Sequence, residues 1–364
     1  MKENHCVGGE AVKRYAAPME GITGYIYRNA HHRVFGGVDK YFTPFLSPGK
    51  KRSLRSRELG DILPEHNQGV PVVPQILTND WEDFLHTAEI LKEFGYEEIN
   101  LNLGCPSGTV TAKKRGAGFL ACPEELDRFL DQVCAGTDRK ISVKTRLGVE
   151  SPEEFGPLLE IFCRYPLSEL IVHPRVQKEG YRGTPNREEF HRALLEAPFP
   201  VCYNGNLFSP EDVEQFSREF PQADRVMFGR GLIADPALAS AAGEGKTVTE
   251  KAFRRFHQEI LDGYCRIMSG DRNVLFKMKE LWFYMIHLFS GGEYFEKKIK
   301  KSSTVAEYCL WVERLMNECP ILPRADVSFL RNSTARLKFI KTLLDISAAP
   351  CYSGCISEFV FRLF

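Results

Sequence analysis

From about residue 13 to residue 243, short apolar runs alternate with longer amphipathic stretches. This alternation limits the fold more than any other feature of the 364-residue chain. The spacing predicts strands over Arg14–Pro18, Lys40–Pro44, Val72–Leu77, Ile99–Gly104, Ile141–Arg146, Leu170–Pro174, Val201–Gly205 and Val226–Arg230. It predicts helices over Thr23–Phe35, Trp81–Phe94, Pro123–Cys134, Pro152–Tyr165, Arg187–Glu196, Pro210–Phe220 and Pro236–Ala242. Proline follows Cys122, Ser151, Ser209 and Asp235, which suits a first helical turn: no N–H is needed there, and a preceding Ser or Asp can cap. The segment between Pro44 and Val72 is less regular. Alternating strand and helix requires parallel strands with helices packed outside, and eight such repeats close on themselves. The expected fold is therefore α/β, a (β/α)8 TIM barrel over residues 11–243.

The pattern changes after residue 243. Gly243-Glu-Gly-Lys-Thr247 reads as a linker, and Phe253, Phe256, Ile260, Tyr264 and Met268 then recur near the helical period. Helical character continues to about Asn317, so a C-terminal helical domain is expected over residues 244–325. The tail, residues 326–364, combines a basic stretch (Thr334–Asp345) with Cys351-Tyr-Ser-Gly-Cys355 and receives no role.

Lys and Arg together number 48, as do Asp and Glu, so the net charge is zero. A dedicated polyanion binder is usually basic overall; phosphate contacts here would have to come from local runs such as Lys50–Arg57 and Lys297–Lys301. The 11 cysteines form no zinc-type pair of Cys-x2-Cys motifs, and no run reaches the ~18 apolar residues of a membrane helix. The chain opens without an apolar signal segment. The expectation is a cytoplasmic protein with reduced thiols, no metal and no membrane association.

Chemistry-bearing residues gather at one position in the repeat. Asn102, Lys144, Arg146, His173, Arg175, Asn204 and Arg230 fall at or just past the C-terminal ends of predicted strands, the face on which barrels carry active sites. Cys105, in Asn100-Leu-Asn-Leu-Gly-Cys-Pro106, belongs to the loop after the fourth strand, where a thiol can serve as nucleophile or acid. The next segment, Lys113-Lys-Arg-Gly-Ala-Gly-Phe119, reads as a glycine-rich flexible lid whose three charges, Lys113, Lys114 and Arg115, could meet an anionic substrate. Lys144 and Arg146 share one strand face, and two cations together call for an anion or an electron-rich group between them. Asn204-Gly-Asn206 and Gly229-Arg-Gly231 follow strands seven and eight, the usual phosphate position in barrels; exposed backbone N–H groups and Arg230 could hold a phosphate there. Pro18 and Met19 could pack against a flat ring, the Gln75 amide could pair with a pyrimidine edge, and His173 could hydrogen-bond cofactor or substrate. The set argues for a phosphate-bearing ring cofactor.

Taken together, Ala17-Pro-Met-Glu-Gly-Ile-Thr23, Gln75, Asn102-Leu-Gly-Cys-Pro106, Gly116-Ala-Gly118, Lys144-Thr-Arg146, His173-Pro-Arg175, Tyr181-Arg-Gly183, Asn204-Gly-Asn206 and Gly229-Arg-Gly231 resemble the tRNA-dihydrouridine synthases, from about Tyr15 to Leu238. The resemblance implies FMN across the barrel mouth. Its ring would lie near Pro18, Met19, Gln75, Lys144 and His173, and its phosphate near Asn204, Gly205, Asn206, Gly229 and Arg230. It implies NADPH as reductant and a uridine flipped out of tRNA, since a stacked base is unreachable. Hydride would reach C6 and Cys105 would protonate C5. Asn102, Lys113, Arg115, Arg146 and Arg175 would contact the base or its phosphate, and the helical domain would grip the tRNA body, the protein acting as a monomer. The competing reading is an FMN barrel that reduces a free small molecule, such as a dihydropyrimidine or dihydroorotate dehydrogenase or an ene-reductase. It leaves the helical domain and the lysine-rich loop without a purpose. A non-catalytic RNA-binding protein would have no need of Cys105 and Lys144.

Overall fold

The computed structural model describes residues 12–49 and 52–331. Residue 11, Lys50 and Lys51 of the first basic run, and residues 332–364 with the Thr334–Asp345 stretch and the Cys351–Cys355 pair lie outside the described residues.

The strands are β1 (Lys13–Ala16), β2 (Lys40–Phe42), β3 (Val72–Val73 and Gln75–Ile76), β4 (Glu98–Leu103), β5 (Lys140–Thr145), β6 (Glu169–Val172), β7 (Val201–Tyr203) and β8 (Arg225–Phe228). All pairings between them are parallel. β3 is a single strand broken by Pro74, which has no N–H for the ladder. Its first half pairs with β2 (Tyr41↔Val72) and its second half with β4 (Gln75↔Asn100). The nine segments, with the two halves counted as one, form a ring of eight strands closed where β1 meets β8 from Lys13↔Arg225 to Ala16↔Phe228. The predicted barrel and all eight predicted strands are present.

Strand alternation sorts the side chains. In β4, Ile99, Leu101 and Leu103 face the helical layer, joining Phe84, Leu130 and Phe162 in one large apolar cluster. The barrel interior holds a smaller set that includes Tyr15, Phe42, Ile171, Cys202 and Met227. The N-terminal end of the barrel is closed by charge. The buried Glu169 accepts hydrogen bonds from Tyr15 (3.1 Å), Lys40 (3.1 Å) and Arg225 (3.2 Å), and Lys40 also pairs with Glu98 (2.6 Å). Burial pushes the Glu169 carboxyl upward, and the two cations oppose that shift. A buried acid is tolerable only when it is paired; all three bonds go to Glu169 Oε2, and its Oε1 is buried without a hydrogen-bond partner.

The helices match the predicted ones within a few residues, and Arg187–Glu196 is as predicted. Among the described residues, four short α-helices were not anticipated, Gly108–Thr111 and Ser328–Arg331 among them. Ser56–Ile62 occupies the segment that reads as irregular, because its polar and charged composition hides about two turns of helix. Arg230–Ala234 begins where strand eight was expected to end, so Arg230 opens a helix rather than closing a strand.

Residues 250–318 form four helices, Glu250–Ile267, Asp271–Met285, Glu293–Lys301 and Val305–Glu318, with Thr249 and Thr304 capping the first and last. Their core is continuous with the barrel: Ile26, Tyr27 and Ala30 of the barrel helix Tyr25–Val34 pack with Phe256, Ile260 and Met278. Within this core the Tyr308 hydroxyl meets His257 Nε2 at 2.6 Å and accepts from Trp282 Nε1 at 2.5 Å, so its buried polar groups are satisfied. No helix among the described residues is long and apolar enough to cross a membrane.

Gly37 joins the first helix to β2 at φ +70°, and a Cβ built there would lie 2.7 Å from the Ser240 backbone of the helix Leu238–Glu244. Left-handed strain and forced overpacking act together at this point. Gly37→Ala is expected to cost about 2–4 kcal/mol, read as a lowered urea midpoint at unchanged slope; an unchanged midpoint would show that the first and last barrel helices can part.

Candidate active site

The C-terminal ends of all eight strands converge on one cavity. Its wall includes Met19 after β1, Phe45 after β2, Gln75 in β3, Asn102 and Cys105 from β4 and its loop, Lys144 in β5, His173 after β6, Asn204 after β7 and Arg230 after β8. Pro18, Gly205, Asn206, Gly229 and Arg146 also line it. Tyr284 reaches it from the helical region.

On the β3–β5 side a chain of amides runs through the barrel. Asn100 Nδ2 donates to Ser142 Oγ (2.9 Å), Gln75 Nε2 to Asn100 Oδ1 (2.8 Å), and Asn102 Nδ2 to Gln75 Oε1 (2.6 Å). Asn102 Oδ1 then accepts from the backbone N–H groups of Gly104 (3.1 Å) and Cys105 (2.9 Å). Asn100 and Asn102 are two apart on one strand, so both point inward. Each amide has one orientation that satisfies its neighbours, so the chain fixes the start of the Cys105 loop. Both hydrogen-bonding groups of the Gln75 amide are therefore engaged within the protein.

The Cys105 loop is packed from the other side by the glycine-rich segment, which is not a loose lid. Gly116, Ala117, Gly118, Phe119 and Leu120 are all buried. A Cβ at Gly116 would lie 2.8 Å from Cys105 O, and one at Gly118 would lie 2.7 Å from the Thr111 backbone. These glycines provide close approach to Cys105. Burial raises the Cys105 thiol above its ordinary pKa, the nearby Glu20 adds to the rise, and the Ser107 backbone, Arg146 and Lys144 oppose it. Burial thus disfavours the thiolate at this position.

The opposite side is cationic. Burial, then Arg146, lowers Lys144 to about 8. Burial lowers Arg175 to about 10, with Arg230 and Arg146 contributing. His173 is driven well below its ordinary value by burial and by Arg146, Lys144, Arg175 and Arg230, so the ring is neutral. Such a cluster is costly unless an anion joins it. Gly229 marks where a ligand can approach: a Cβ there would find no protein atom nearer than Ala17 Cβ at 3.8 Å, so packing does not demand glycine at this wall position. Arg230 lies 4.5 Å from the Tyr181 ring centre and 5.3 Å from that of Phe208, which hold its guanidinium at the rim. Asn204 Nδ2 is bonded to Met227 O (2.9 Å), and Asn206 takes a left-handed φ of +44°. These residues fit a phosphate-bearing anionic cofactor.

Three of the expected substrate contacts are placed differently. Lys113 and Arg115 line a neighbouring cleft with Arg52, Arg55, Asp80 and Asp83, not the Cys105 cavity. Arg175 is buried behind the wall. It donates to Arg182 O (2.9 Å), Gly183 O (2.6 Å) and Asn206 Oδ1 (3.3 Å), and its Nη1 lies 3.1 Å from His173 Nε2. Arg146 lines the cavity yet donates to Gly104 O (2.9 Å), Val176 O (3.1 Å) and Gly180 O (2.9 Å), tying the β4 and β6 loops together. The basic run around Arg52 is partly spent internally, with Arg52 paired to Glu82 and Arg57 to Glu20. In the second basic run, Lys300 pairs with Glu296 and Lys298 lies over Tyr294 and Trp311.

Asn100, Glu20 and Tyr181 stand in quoted motifs but received no role from the sequence, and Phe208 and Tyr284 were missed altogether. Asn100 had a signal, an amide two residues before Asn102 on the inward face. Tyr284 had none, since it belongs to a distant helix.

The sequence model of the family described as "Dihydrouridine synthase (Dus)" matches residues 15–316. A tRNA-dihydrouridine(16) synthase of Pseudomonas putida is 32% identical over 241 residues, covering 63% of this chain and 74% of that protein. One from Vibrio parahaemolyticus is 24% identical over 327 residues, covering 83% of this chain and 95% of that protein. Among solved structures, morphinone reductase matches with a TM-score of 0.48 and 14% identity, over 67% of this chain and 88% of that one.

Lys144 gives the cavity a pH dependence for anion binding. An anion beside it favours the charged amine, so affinity is full below about 8 and falls as pH rises past that value. The loss is expected to approach tenfold per pH unit in a flavin mononucleotide titration followed by fluorescence, and Lys144→Met is expected to flatten it. A wild-type affinity constant from pH 7 to 10 would place the electron-rich edge of the flavin ring away from Lys144.

Proposed function

This chain belongs to the dihydrouridine synthase family and is an enzyme that forms dihydrouridine in tRNA, and we propose that it does so with FMN, re-reduced by NADPH, and with Cys105 as the proton donor. The observation that carries this reading is a single cavity with a protonated, fixed thiol on one wall and a cluster of buried cations on the other. When bound, the flavin supplies a hydride to C6 of the uracil ring.

Negative charge then builds on C5 and O4, and a proton must arrive at C5. Cys105 holds one: burial keeps its thiol protonated at neutral pH, and the bonds from Gly104 and Cys105 N–H to Asn102 fix its loop. The cationic wall opposes the charge that builds up, in a recess where such an interaction is worth more than in water. The residues that would hold the cofactor are Arg230, Gly229, Gly205 and Asn206 on the phosphate side, and Met19, Pro18, Lys144 and His173 around the ring. Gln75 and Asn102 would act mainly by fixing the wall, since their amides are engaged with each other. Arg146 and Arg175 would act by holding loops. A stacked base cannot enter a recess at a barrel mouth, so the target nucleotide must leave its helix. We assign residues 11–243 to catalysis and residues 244–325 to holding the tRNA body, with a single chain sufficient for both.

Cys105→Ala is expected to leave the flavin bound and reducible by NADPH while slowing uridine reduction by about 10²–10⁴-fold, the usual cost of a lost general acid. Mass detection of dihydrouridine in tRNA checks this, and undiminished turnover would remove Cys105 from the chemistry. Arg230→Ala is expected to weaken flavin retention by about 10–100-fold, as for a lost charge-assisted contact; an unchanged flavin content after gel filtration would put the phosphate elsewhere. A yellow protein that consumes NADPH without altering tRNA would point to a free pyrimidine or enone instead.

A further inference from the structure

The ionisable groups that line the Cys105 cavity are Cys105, Lys144, Arg146, His173, Tyr181, Arg230, Tyr284 and one carboxylate, Glu20. An acid in a wall made to attract anions works against that purpose unless it meets a donor. Glu20 is also placed with care. It sits in a turn closed by Ile22 N and Thr23 N to Met19 O, each at 3.0 Å, and braced by Met19 N to Thr23 Oγ1 at 2.8 Å. Its side chain is 16% exposed, and Arg57 of the helix Ser56–Ile62 holds one carboxylate oxygen at 2.5 Å. The turn and the arginine together hold the carboxylate in the cavity wall.

The base that the proposed reaction brings here has a fixed polar edge. Uracil offers an acceptor at O2, a donor at N3–H and an acceptor at O4, so full recognition needs donors at both ends and an acceptor in the middle. The cationic wall supplies donors in excess. A carboxylate acceptor is supplied by Glu20 alone among the lining side chains. Cytosine has an unprotonated N3, which a carboxylate repels.

We propose that Glu20 is a specificity-determining residue that accepts the N3–H of the target uracil, with Arg57 as the positioning residue that aims it. This rests on the uridine-reduction reading above. The bond is charge-assisted and made in a recess, so its loss should lower kcat/KM by about 10–100-fold.

The test is a cycle between residue and substrate atom. Transcripts of tRNA carrying uridine or N3-methyluridine at the position that the wild-type protein reduces are assayed with wild type, Glu20→Ala and Glu20→Gln, with bound flavin quantified for each. In the wild type, N3-methylation is expected to cost at least the same 10–100-fold. In Glu20→Ala, which removes both the acceptor and the obstruction to the methyl group, the methyl penalty is expected to fall to within about threefold of unity. Glu20→Gln keeps an accepting oxygen and should retain most of the uridine activity, while gaining an amide that can donate to an unprotonated N3 and so binding cytidine-substituted tRNA more tightly than wild type does. Equal methyl penalties in wild type and Glu20→Ala, at normal flavin content, would overturn the assignment, as would cytidine discrimination unchanged in Glu20→Gln. A wild-type protein that reduces no uridine in any tRNA would instead sink the underlying reading, a result visible before any variant is made.

Discussion

The pairing of Gln75 with Asn100 across β3 and β4 is the contact on which the rest of the molecule turns. Pro74 interrupts β3, so the strand has to pair with β2 through one half and with β4 through the other. If the second half failed to pair, the ring would open and the strand ends would no longer face one another. The same register sets Gln75 beside both inward-pointing amides of β4, which is why its Nε2 reaches Asn100 and its Oε1 reaches Asn102. Closure of the barrel and placement of Cys105 are thus a single event, since the last link of the amide chain is the acceptor for the Cys105 N–H.

The two ends of the barrel handle charge in opposite ways. At the N-terminal end Glu169 is surrounded by Lys40, Arg225 and Tyr15, so the buried charges cancel within the protein. At the C-terminal end Lys144, Arg146, Arg175 and Arg230 crowd around a neutral His173 with one carboxylate in the wall. The first arrangement stabilises a fold. The second destabilises the empty protein and is relieved by an anion, so binding energy at this end is built in as unfavourable electrostatics in the absence of ligand.

Much of this was legible in the chain. The eight strands show as apolar runs of fixed spacing, and the polar residues that end them fall on one face of any closed parallel barrel. That placed Cys105, Lys144, His173 and Arg230 at one cavity. What the pattern could not give was direction. Arg175 stands at the end of its strand as expected, yet its long side chain turns back to the carbonyls of Arg182 and Gly183, and the path of that loop is set by contacts remote in sequence. The glycines of residues 116–118 read as flexibility because glycine permits it; in the structure they are demanded by the backbone of Cys105 and Thr111. Tyr284 was invisible, since nothing in a helical period says which turn will meet a barrel 180 residues earlier in the chain.

The contribution of Tyr284 also bears on how the two parts of the protein divide the work. The helix Asp271–Met285 does more than cover the barrel: Lys277 donates to Gly21 O at 2.7 Å, and Tyr284 enters the cavity about two turns further along. Gly21 follows Glu20 in the same turn. The helix therefore grips the loop after β1 on one side and forms part of the cavity wall on the other. Because its other face is bound into the continuous core shared with Ile26 and Tyr27, a shift of the helical region relative to the barrel would move both contacts together. A body of RNA held on those helices would then be felt at the cavity through a rigid element only two turns long, and the register between the tRNA and Cys105 would be set by packing rather than by a flexible tether.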